Sequence, residues 1–219
     1  MRASQAVRAV RAVRRRLGDG GPGAERADGD FEQVTLPEGD GDVLRDLLVA
    51  EGARVVIEIG LAYGSSALAI GEALVGLGAD RTQHLIVDAY QDLFHDAGWQ
   101  ALVDAGLGDR CTLLRKRSQL ALPRLVADGF VADAAFVDGS HIFHNVFVDL
   151  VFLRELVRPG GLVILDDCDW PSVGTAARYF EINTGWQPAP IPATTRLRAY
   201  RLPDPRVEPG FKDFVPFGT

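Results

Sequence analysis

Hydrophobic and polar positions alternate between two patterns along most of the chain. Short apolar runs such as VVIEI, LIVD, AAFVD and LVILD are typical of strands buried on both faces. Between them, apolar residues return every three or four positions, as in amphipathic helices. The predicted strands are 54–59, 84–88, 111–115, 133–137 and 162–166, with less regular strands near 186–191 and 195–202. The predicted helices are 40–51, 64–77, 93–106, 118–128, 142–157 and 171–183. Such alternation predicts an α/β domain with a doubly wound, parallel sheet.

The two ends of the chain depart from this pattern. The N-terminal segment has helical periodicity up to about Gly18, and the Gly- and Asp-rich stretch 18–30 reads as a flexible linker. Beyond the last predicted strand, four prolines and a phenylalanine at every third position predict a non-helical tail that lies along the domain surface or a dimer interface. We therefore divide the chain into an N-terminal helix and linker (1–30), a folded domain (31–202) and a tail (203–219).

Composition and charge limit the classes of partner. The first 16 residues carry six arginines and no acid, so the net charge of -7 leaves -13 on the remainder, which disfavours nucleic-acid binding. We expect the basic helix to dock on its own domain or on a partner subunit, and contact with a membrane surface or RNA is the alternative. No apolar run reaches the ~18 residues of a membrane span. Two cysteines and no signal-like segment predict a reducing, cytoplasmic location.

The first strand ends in a glycine-containing turn, VVIEIGLAYGSSALAI. Gly60 and Gly64 permit positive φ and a close approach of the backbone to a ligand, and their GxxxG spacing argues against the GxGxxG dinucleotide fingerprint. Asp88 ends the next strand, where its carboxylate either binds ribose hydroxyls or caps the following helix. Glu58 lies inside the first strand. A buried carboxylate needs a cation or hydrogen-bond donors, and a cationic ligand would supply one.

Acidic residues also end two later strands. Asp138 ends the fourth strand, and Asp166 and Asp167 end the fifth. Neighbouring strand ends are close in space, so three carboxylates would repel one another unless a cation lies among them, and oxygen ligands suit Mg²⁺, Mn²⁺ or Ca²⁺. The alternative is that each aspartate only caps the helix that follows it.

On these residues the chain resembles the class I S-adenosyl-L-methionine (SAM) methyltransferases. It is most similar to the metal-dependent O-methyltransferases of the catechol and caffeoyl-CoA type and to their antibiotic-pathway relatives. The resemblance covers residues 34–186 and includes LPEGDGDVLRDLLVAEGARVVIEIG and a GxxxG turn with an aromatic residue before its second glycine. It implies a Rossmann-like, seven-stranded, mostly parallel sheet. It also implies cofactor contacts: Glu58, Gly60, Gly64 and Ser66 for methionine, Asp88 for ribose, Ser118 and Gln119 for adenine, with Tyr63 and Asp138 also in the site.

The resemblance further implies a metal site and a base. Asp138, Asp166 and Asp167 match the family's ligands for a divalent ion, Mg²⁺ or another such as Mn²⁺ or Ca²⁺. The family's base lies three residues after the first aspartate and is commonly a lysine, whereas this chain has His141. A histidine is largely neutral at pH 7 and accepts a proton directly, which a lysine does only once its pKa is lowered. His141 as a surface or capping residue, with His144 as the base, is the alternative.

We predict metal-assisted transfer of a methyl group from SAM to a hydroxyl of a small phenolic or sugar-containing natural product. His141 and Asp138 are the predicted catalytic residues, and a homodimer is possible. One alternative is metal-independent N-methyl transfer, and another is a non-catalytic protein that binds SAM or a nucleotide. A hydride-transfer dehydrogenase ranks last because the third glycine of its fingerprint is absent.

Overall fold

The structure, a computed structural model, describes residues 2–22, 30–78 and 82–217. Its centre is a seven-stranded sheet in the order β3-β2-β1-β4-β5-β7-β6. The first five strands are parallel, and β7 runs antiparallel to β5 and β6. The strands are β1 (Val55–Ile59), β2 (Gln83–Val87), β3 (Cys111–Leu114), β4 (Ala132–Val137), β5 (Val157–Leu165), β6 (Gln187–Pro188) and β7 (Arg198–Arg201). The predicted doubly wound, mostly parallel sheet is confirmed.

Helices cover both faces of the sheet. One core lies between the sheet and α6, α7 and α8, and a second lies between the sheet and α3 and α4. Within the described residues the α-helices are α1 (Arg2–Gly20), α2 (Phe31–Val34), α3 (Glu38–Glu51), α4 (Ser65–Gly76), α5 (Ala97–Asp104), α6 (Ser118–Ala127), α7 (Phe143–Leu156) and α8 (Pro171–Thr184). None of these helices is long and apolar enough to span a membrane.

The strand order reverses at β1, which pairs with β2 on one side and with β4 on the other. In an open parallel sheet, the loops that leave the carboxyl ends of two such strands turn to opposite faces and leave a crevice between them. The sheet therefore opens a binding crevice beside the loops that follow β1 and β4.

The predicted helix 93–106 is wrong in its first part. The structure has a 3₁₀ turn at Gln91–Phe94, and α5 begins only at Ala97. His95 and Asp96 between them have φ values of 50° and 56°, in the left-handed region, so a right-handed helix cannot continue through them. The predicted strand near 186–191 is reduced to the two residues of β6.

The N-terminal helix α1 docks on its own domain. Val10, Val13 and Leu17 are buried against α4 and α5, which is the face that the periodicity predicts. Arg14 donates from Nη1 to Oε2 of the buried Glu72 at 2.5 Å, and Arg11 donates from Nε to Oε1 at 2.6 Å. Residues 23–29 of the predicted linker lie outside the described residues.

Replacing Glu72 by glutamine is expected to lower the free energy of unfolding by about 2 kcal/mol, because charge-assisted hydrogen bonds to buried groups are lost. Arg16→Gln is the matched control. It breaks only an exposed pair with Asp104, at 3.1 Å, and should cost roughly 0.5 kcal/mol or less. Urea denaturation of both variants measures the difference. Equal losses would show that Glu72 does not anchor α1.

The C-terminal tail lies along α7 and α8. The Val215 backbone makes two hydrogen bonds with the Asn183 side chain, at 2.8 and 3.0 Å. The ring of Phe217 packs edge-on against Tyr179 with centroids 5.2 Å apart. Contact with the domain surface, one of the two placements expected for the tail, is therefore present, whereas Phe211 is fully exposed.

Candidate functional site

A cavity of about 540 Å³ opens at the carboxyl edge of the sheet. Five successive strand-to-helix loops contribute to its wall, through Gly60 after β1, Asp88 after β2, Ser118 after β3, Asp138 after β4 and Asp167 after β5. Loop residues converge there because parallel strands end at the same edge. Most of the predicted site residues are thus brought to one cavity by topology alone.

The turn after β1 has no room for a side chain at its first glycine. Gly60 has φ of +94°, and a Cβ there would lie 2.1 Å from the carbonyl oxygen of Asp138. The loops after β1 and β4 are therefore in backbone contact at this point. Gly64 has φ of +86° and precedes the first residue of α4, but it does not line the cavity. Its role in the structure is to turn the chain into α4 next to Gly98.

Glu58 is fully buried and lies outside the cavity wall. Its Oε1 accepts a hydrogen bond from Ser66 at 2.6 Å, and its Oε2 lies 2.9 Å from Nε2 of His84, which is also fully buried. The cation that we expected from a ligand is therefore supplied by His84, and the burial of Glu58 gives no evidence for a cationic cofactor.

His84 was not among the predicted site residues. Burial disfavours its charged form, but hydrogen bonding to Cys111 and Glu58 and the negative charge of Glu58 outweigh this effect and raise its pKa to about 9. The Cys111 sulfur lies 3.8 Å from His84 Nδ1. A buried chain of polar groups therefore runs across β1, β2 and β3 beneath the glycine turn.

Tyr63 is buried and also lies off the cavity wall. Its hydroxyl donates to Asp30 Oδ1 at 2.6 Å, and its ring makes edge contacts with Phe31 and Phe94, at centroid distances of 5.3 and 5.1 Å. Phe94 lines the cavity. Tyr63 therefore joins the segment around α2 to one wall of the cavity, and Ser66, bound to Glu58, supports the turn from below.

Asp88 lines the cavity and already accepts several hydrogen bonds. Its Oδ2 accepts from the backbone nitrogens of Leu61 and Ala62, at 2.9 and 3.2 Å, and from Gln91 Nε2 at 3.2 Å. Among the residues that the structure describes, its Oδ1 accepts only from the Tyr90 nitrogen, at 2.7 Å. A carboxylate oxygen has two lone pairs, so Oδ1 retains capacity for one further donor. Asp88 therefore caps the turn after β2, and contact with a ribose hydroxyl stays a prediction for which Oδ1 has room.

Ser118 and Gln119 begin α6 and both line the cavity. Behind them lies Asp149 of α7, 1% exposed, whose carboxyl interacts with the Ser118 hydroxyl. Burial raises the pKa of Asp149 to about 7, against the opposing effect of that hydrogen bond. The apolar sequence around Asp149 gave no reason to place it next to the site.

Asp138, His141 and Asp167 form a cluster whose potential ligand atoms all lie within 4.8 Å of one another. His141 Nε2 lies 2.9 Å from Asp167 Oδ2 and 4.0 Å from Asp138 Oδ1. Burial, followed by the charges of Asp166 and Asp167, raises the pKa of Asp138 to about 8. His144, the rival base, is exposed and does not line the cavity, so the structure brings only His141 to the acids.

Asp166, the third predicted carboxylate ligand, lies outside this cluster. Its oxygens accept from Arg196, with Nε at 2.8 and 3.1 Å and Nη2 at 2.5 Å. Its Oδ1 also accepts from the Asp167 nitrogen, at 2.8 Å. Burial raises the pKa of Asp166, and the two-pronged contact with the permanently charged Arg196 opposes this shift.

Comparison with known proteins now identifies the family. Residues 57–168, just over half of the chain, match the family model described as a methyltransferase domain. The chain belongs to this methyltransferase family. A putative caffeoyl-CoA O-methyltransferase of Arabidopsis thaliana is 27% identical over 142 residues, which cover 65% of this chain and 58% of that protein. The methyltransferase therefore matches less than two thirds of the length of this curated relative.

Solved structures show the same fold at lower identity. An O-methyltransferase from Bacillus cereus in complex with SAH has a TM-score of 0.63 and 16% identity, with 90% of each chain covered. The O-methyltransferase TomG from Streptomyces achromogenes, in complex with SAM and involved in tomaymycin synthesis, has a TM-score of 0.62 and 20% identity, with 91% of this chain and 86% of TomG covered. A putative O-methyltransferase from Klebsiella pneumoniae has a TM-score of 0.68, 17% identity and 90% coverage of each chain.

The Asp138–His141–Asp167 cluster contains oxygen atoms that could be ligands of a divalent cation. Among the described residues, no hydrogen-bond donor reaches the Asp138 carboxylate, and His141 at 4.0 Å is its nearest ion-pair partner. Burial and the neighbouring carboxylates raise the pKa of Asp138 although the charge of Arg196 opposes them, and a cation bound there would relieve the remaining repulsion. The two carboxylates supply the oxygen ligands that Mg²⁺ and Mn²⁺ prefer, whereas an imidazole is more typical of zinc, iron or copper sites. The carboxylates of Asp138 and Asp167 therefore fit the divalent ion that the family resemblance implies, and they are the residues that would hold it.

Proposed function

We propose that this methyltransferase transfers the methyl group of SAM to a hydroxyl oxygen of a small molecule, with the help of a divalent metal ion. One observation carries the proposal: four of the residues expected to bind SAM line the same cavity as the Asp138–His141–Asp167 cluster, namely Gly60, Asp88, Ser118 and Gln119. The named functions of the relatives support O-methylation, and those of the Arabidopsis protein and TomG support a phenolic or other natural-product acceptor.

Donor binding is assigned to the first three loops. Ser118 and Gln119 would contact the adenine, the free lone pair of Asp88 Oδ1 would accept from a ribose hydroxyl, and the backbone at Gly60 would lie against the methionine part. SAM brings its own leaving group, because the methyl carbon is bonded to a sulfonium. The protein therefore has to generate an oxygen nucleophile and hold it in line with the methyl group. Such positioning can lower the activation free energy by up to roughly 7–11 kcal/mol.

Proton removal is assigned to His141. Asp167, 2.9 Å from Nε2, fixes the tautomer that carries its proton on this nitrogen and stabilises the imidazolium that forms, which leaves the other ring nitrogen to accept the proton of the acceptor. Trp170 packs against the imidazole, with ring centroids 4.8 Å apart, and so restrains the ring. Asp138 and Asp167 would hold the divalent ion, whose contribution when bound is to lower the pKa of the acceptor hydroxyl.

A metal-independent reaction is the second candidate, including N-methyl transfer to an amine. It is favoured by the pairing of His141 with Asp167, which forms an oriented base without an ion, and by the neutralisation of Asp166 by Arg196.

Methyl transfer in the presence of EDTA separates the two candidates. The purified protein is incubated with methyl-labelled SAM and a panel of phenols, sugars and their amine analogues. We expect the label to be transferred to a hydroxyl acceptor. EDTA should lower the rate of transfer by on the order of 10²-fold or more, and added Mg²⁺ or Mn²⁺ should restore it. Transfer that survives EDTA would favour the second candidate, and a protein that does not bind SAH would contradict both.

A further inference from the structure

Arg196 inserts a permanent positive charge beside the acid cluster. It lies in the segment between β6 and β7, away from the strand-to-helix loops, and it reaches the cavity wall. Its Nε and Nη2 bind both oxygens of Asp166, while Nη1 lies 3.8 Å from Asp167 Oδ1. A guanidinium does not lose its proton in proteins, and its planar fork fits a carboxylate on two oxygens. The Asp166 side chain is therefore held by a partner that pH does not release.

The contact between Arg196 and Asp166 changes both the net charge of the site and the number of carboxylate ligands available to a metal ion. When an ion is bound and all three aspartates are ionised, they and Arg196 together carry a net charge of -2, which a single divalent cation balances. With Asp166 free and Arg196 absent, the net charge would be -3 and three carboxylates would face the ion. The affinity of oxygen-ligand sites for divalent cations rises with the number of charged ligands.

We propose that Arg196 is a positioning residue that keeps Asp166 out of the ligand set and thereby lowers the affinity of the site for divalent cations. The proposal rests on the metal site in the proposed function. Asp138 and Asp167 are then the two carboxylates that would hold the ion. Arg196 also fixes the side chain next to the ligand Asp167, because Asp166 accepts the Asp167 backbone hydrogen bond at 2.8 Å.

Titration calorimetry with Mn²⁺ tests this without an acceptor substrate. We expect Arg196→Gln to bind Mn²⁺ on the order of 10-fold more tightly than the wild type, because Asp166 becomes a ligand and a repelling charge is removed. Arg196→Gln combined with Asp166→Ala should return to within about threefold of the wild type, since no extra carboxylate is available. Arg198→Gln is the matched control, because Arg198 is half exposed, 3.7 Å from Asp169 and off this cavity wall, and should leave Mn²⁺ affinity unchanged.

Unchanged or weaker Mn²⁺ binding by Arg196→Gln would overturn the proposal, as would a lack of Mn²⁺ binding by both proteins. A wild type that binds no Mn²⁺, beside an Arg196→Gln variant that does, would uphold the role of Arg196 and remove the metal from the proposed function. Arg196→Lys keeps the positive charge but lacks the planar, two-pronged guanidinium, so its Mn²⁺ affinity should lie between those of the wild type and Arg196→Gln. SAH titration of each variant tests the proposed function separately and confirms that the domain is folded.

Discussion

Replacing His141 by alanine is expected to lower the rate of methyl transfer by ~10²- to 10⁴-fold, which is the usual contribution of a general base. The imidazole of His141 is the group that would take the proton of the acceptor hydroxyl. Without this imidazole, Asp167, which lies 2.9 Å from its Nε2, has no base to orient. Affinity for SAH should change by less than about threefold, because His141 is assigned to the acceptor and not to the donor. Single-turnover rates and titration calorimetry measure the two quantities.

His144→Ala is the matched control for this experiment. His144 lies three residues along the chain, is exposed and does not line the cavity, so its loss should leave the rate unchanged. If His144→Ala is the slower variant, the base has been assigned to the wrong histidine. If His141→Ala loses SAH affinity to the same extent as rate, His141 supports the whole cavity and does not act as a base.

Replacing His84 by alanine is expected to lower the free energy of unfolding by about 3–5 kcal/mol, which is the usual loss when one partner of a buried ion pair is removed. Glu58 would remain in the core with Ser66 as its remaining hydrogen-bond partner among the described residues. Because Ser66 lies in the first turn of α4, the glycine turn above it should also loosen and SAH affinity should fall. Urea denaturation and SAH titration measure the two effects. An alanine variant as stable as the wild type would contradict the pairing.

The same pair predicts how stability depends on pH. The folded-state pKa of His84, about 9, lies above its ordinary value of 6.5, so the folded state binds the proton more tightly than the unfolded state. This stabilisation is fully present below pH 6.5 and is lost as pH rises through about 9. Denaturation of the wild type across this interval should show the decline, and Glu58→Gln should show a smaller one. Identical pH profiles for both proteins would contradict it.

The positions of Gly60, Asp88 and Asp138 on the cavity could be predicted because they follow from local pattern, whereas Ser118 was expected only from the family resemblance. Each stands just beyond an apolar run, and parallel strands necessarily deliver such residues to one edge. The strands themselves could be predicted for the same reason, since burial on both faces requires continuous apolar runs.

Contacts that depend on register or on distant segments could not be predicted. His84 meets Glu58 because β1 and β2 pair with Val56 opposite His84, which places the two side chains on one face of neighbouring strands. Arg196 reaches Asp166 from a segment 30 residues away, in a loop without a motif. The break before α5 arises from left-handed backbone at His95 and Asp96, for which a histidine and an aspartate are weak signals compared with a glycine.

A crystal structure of the protein grown with SAH and Mn²⁺ tests most directly whether donor and acceptor chemistry meet in this cavity. We expect SAH density with its adenine against Ser118 and Gln119, and an anomalous Mn²⁺ peak between Asp138 and Asp167, with Asp166 still bound to Arg196. SAH outside the cavity, or an ion bound away from Asp138 and Asp167, would contradict the assignment.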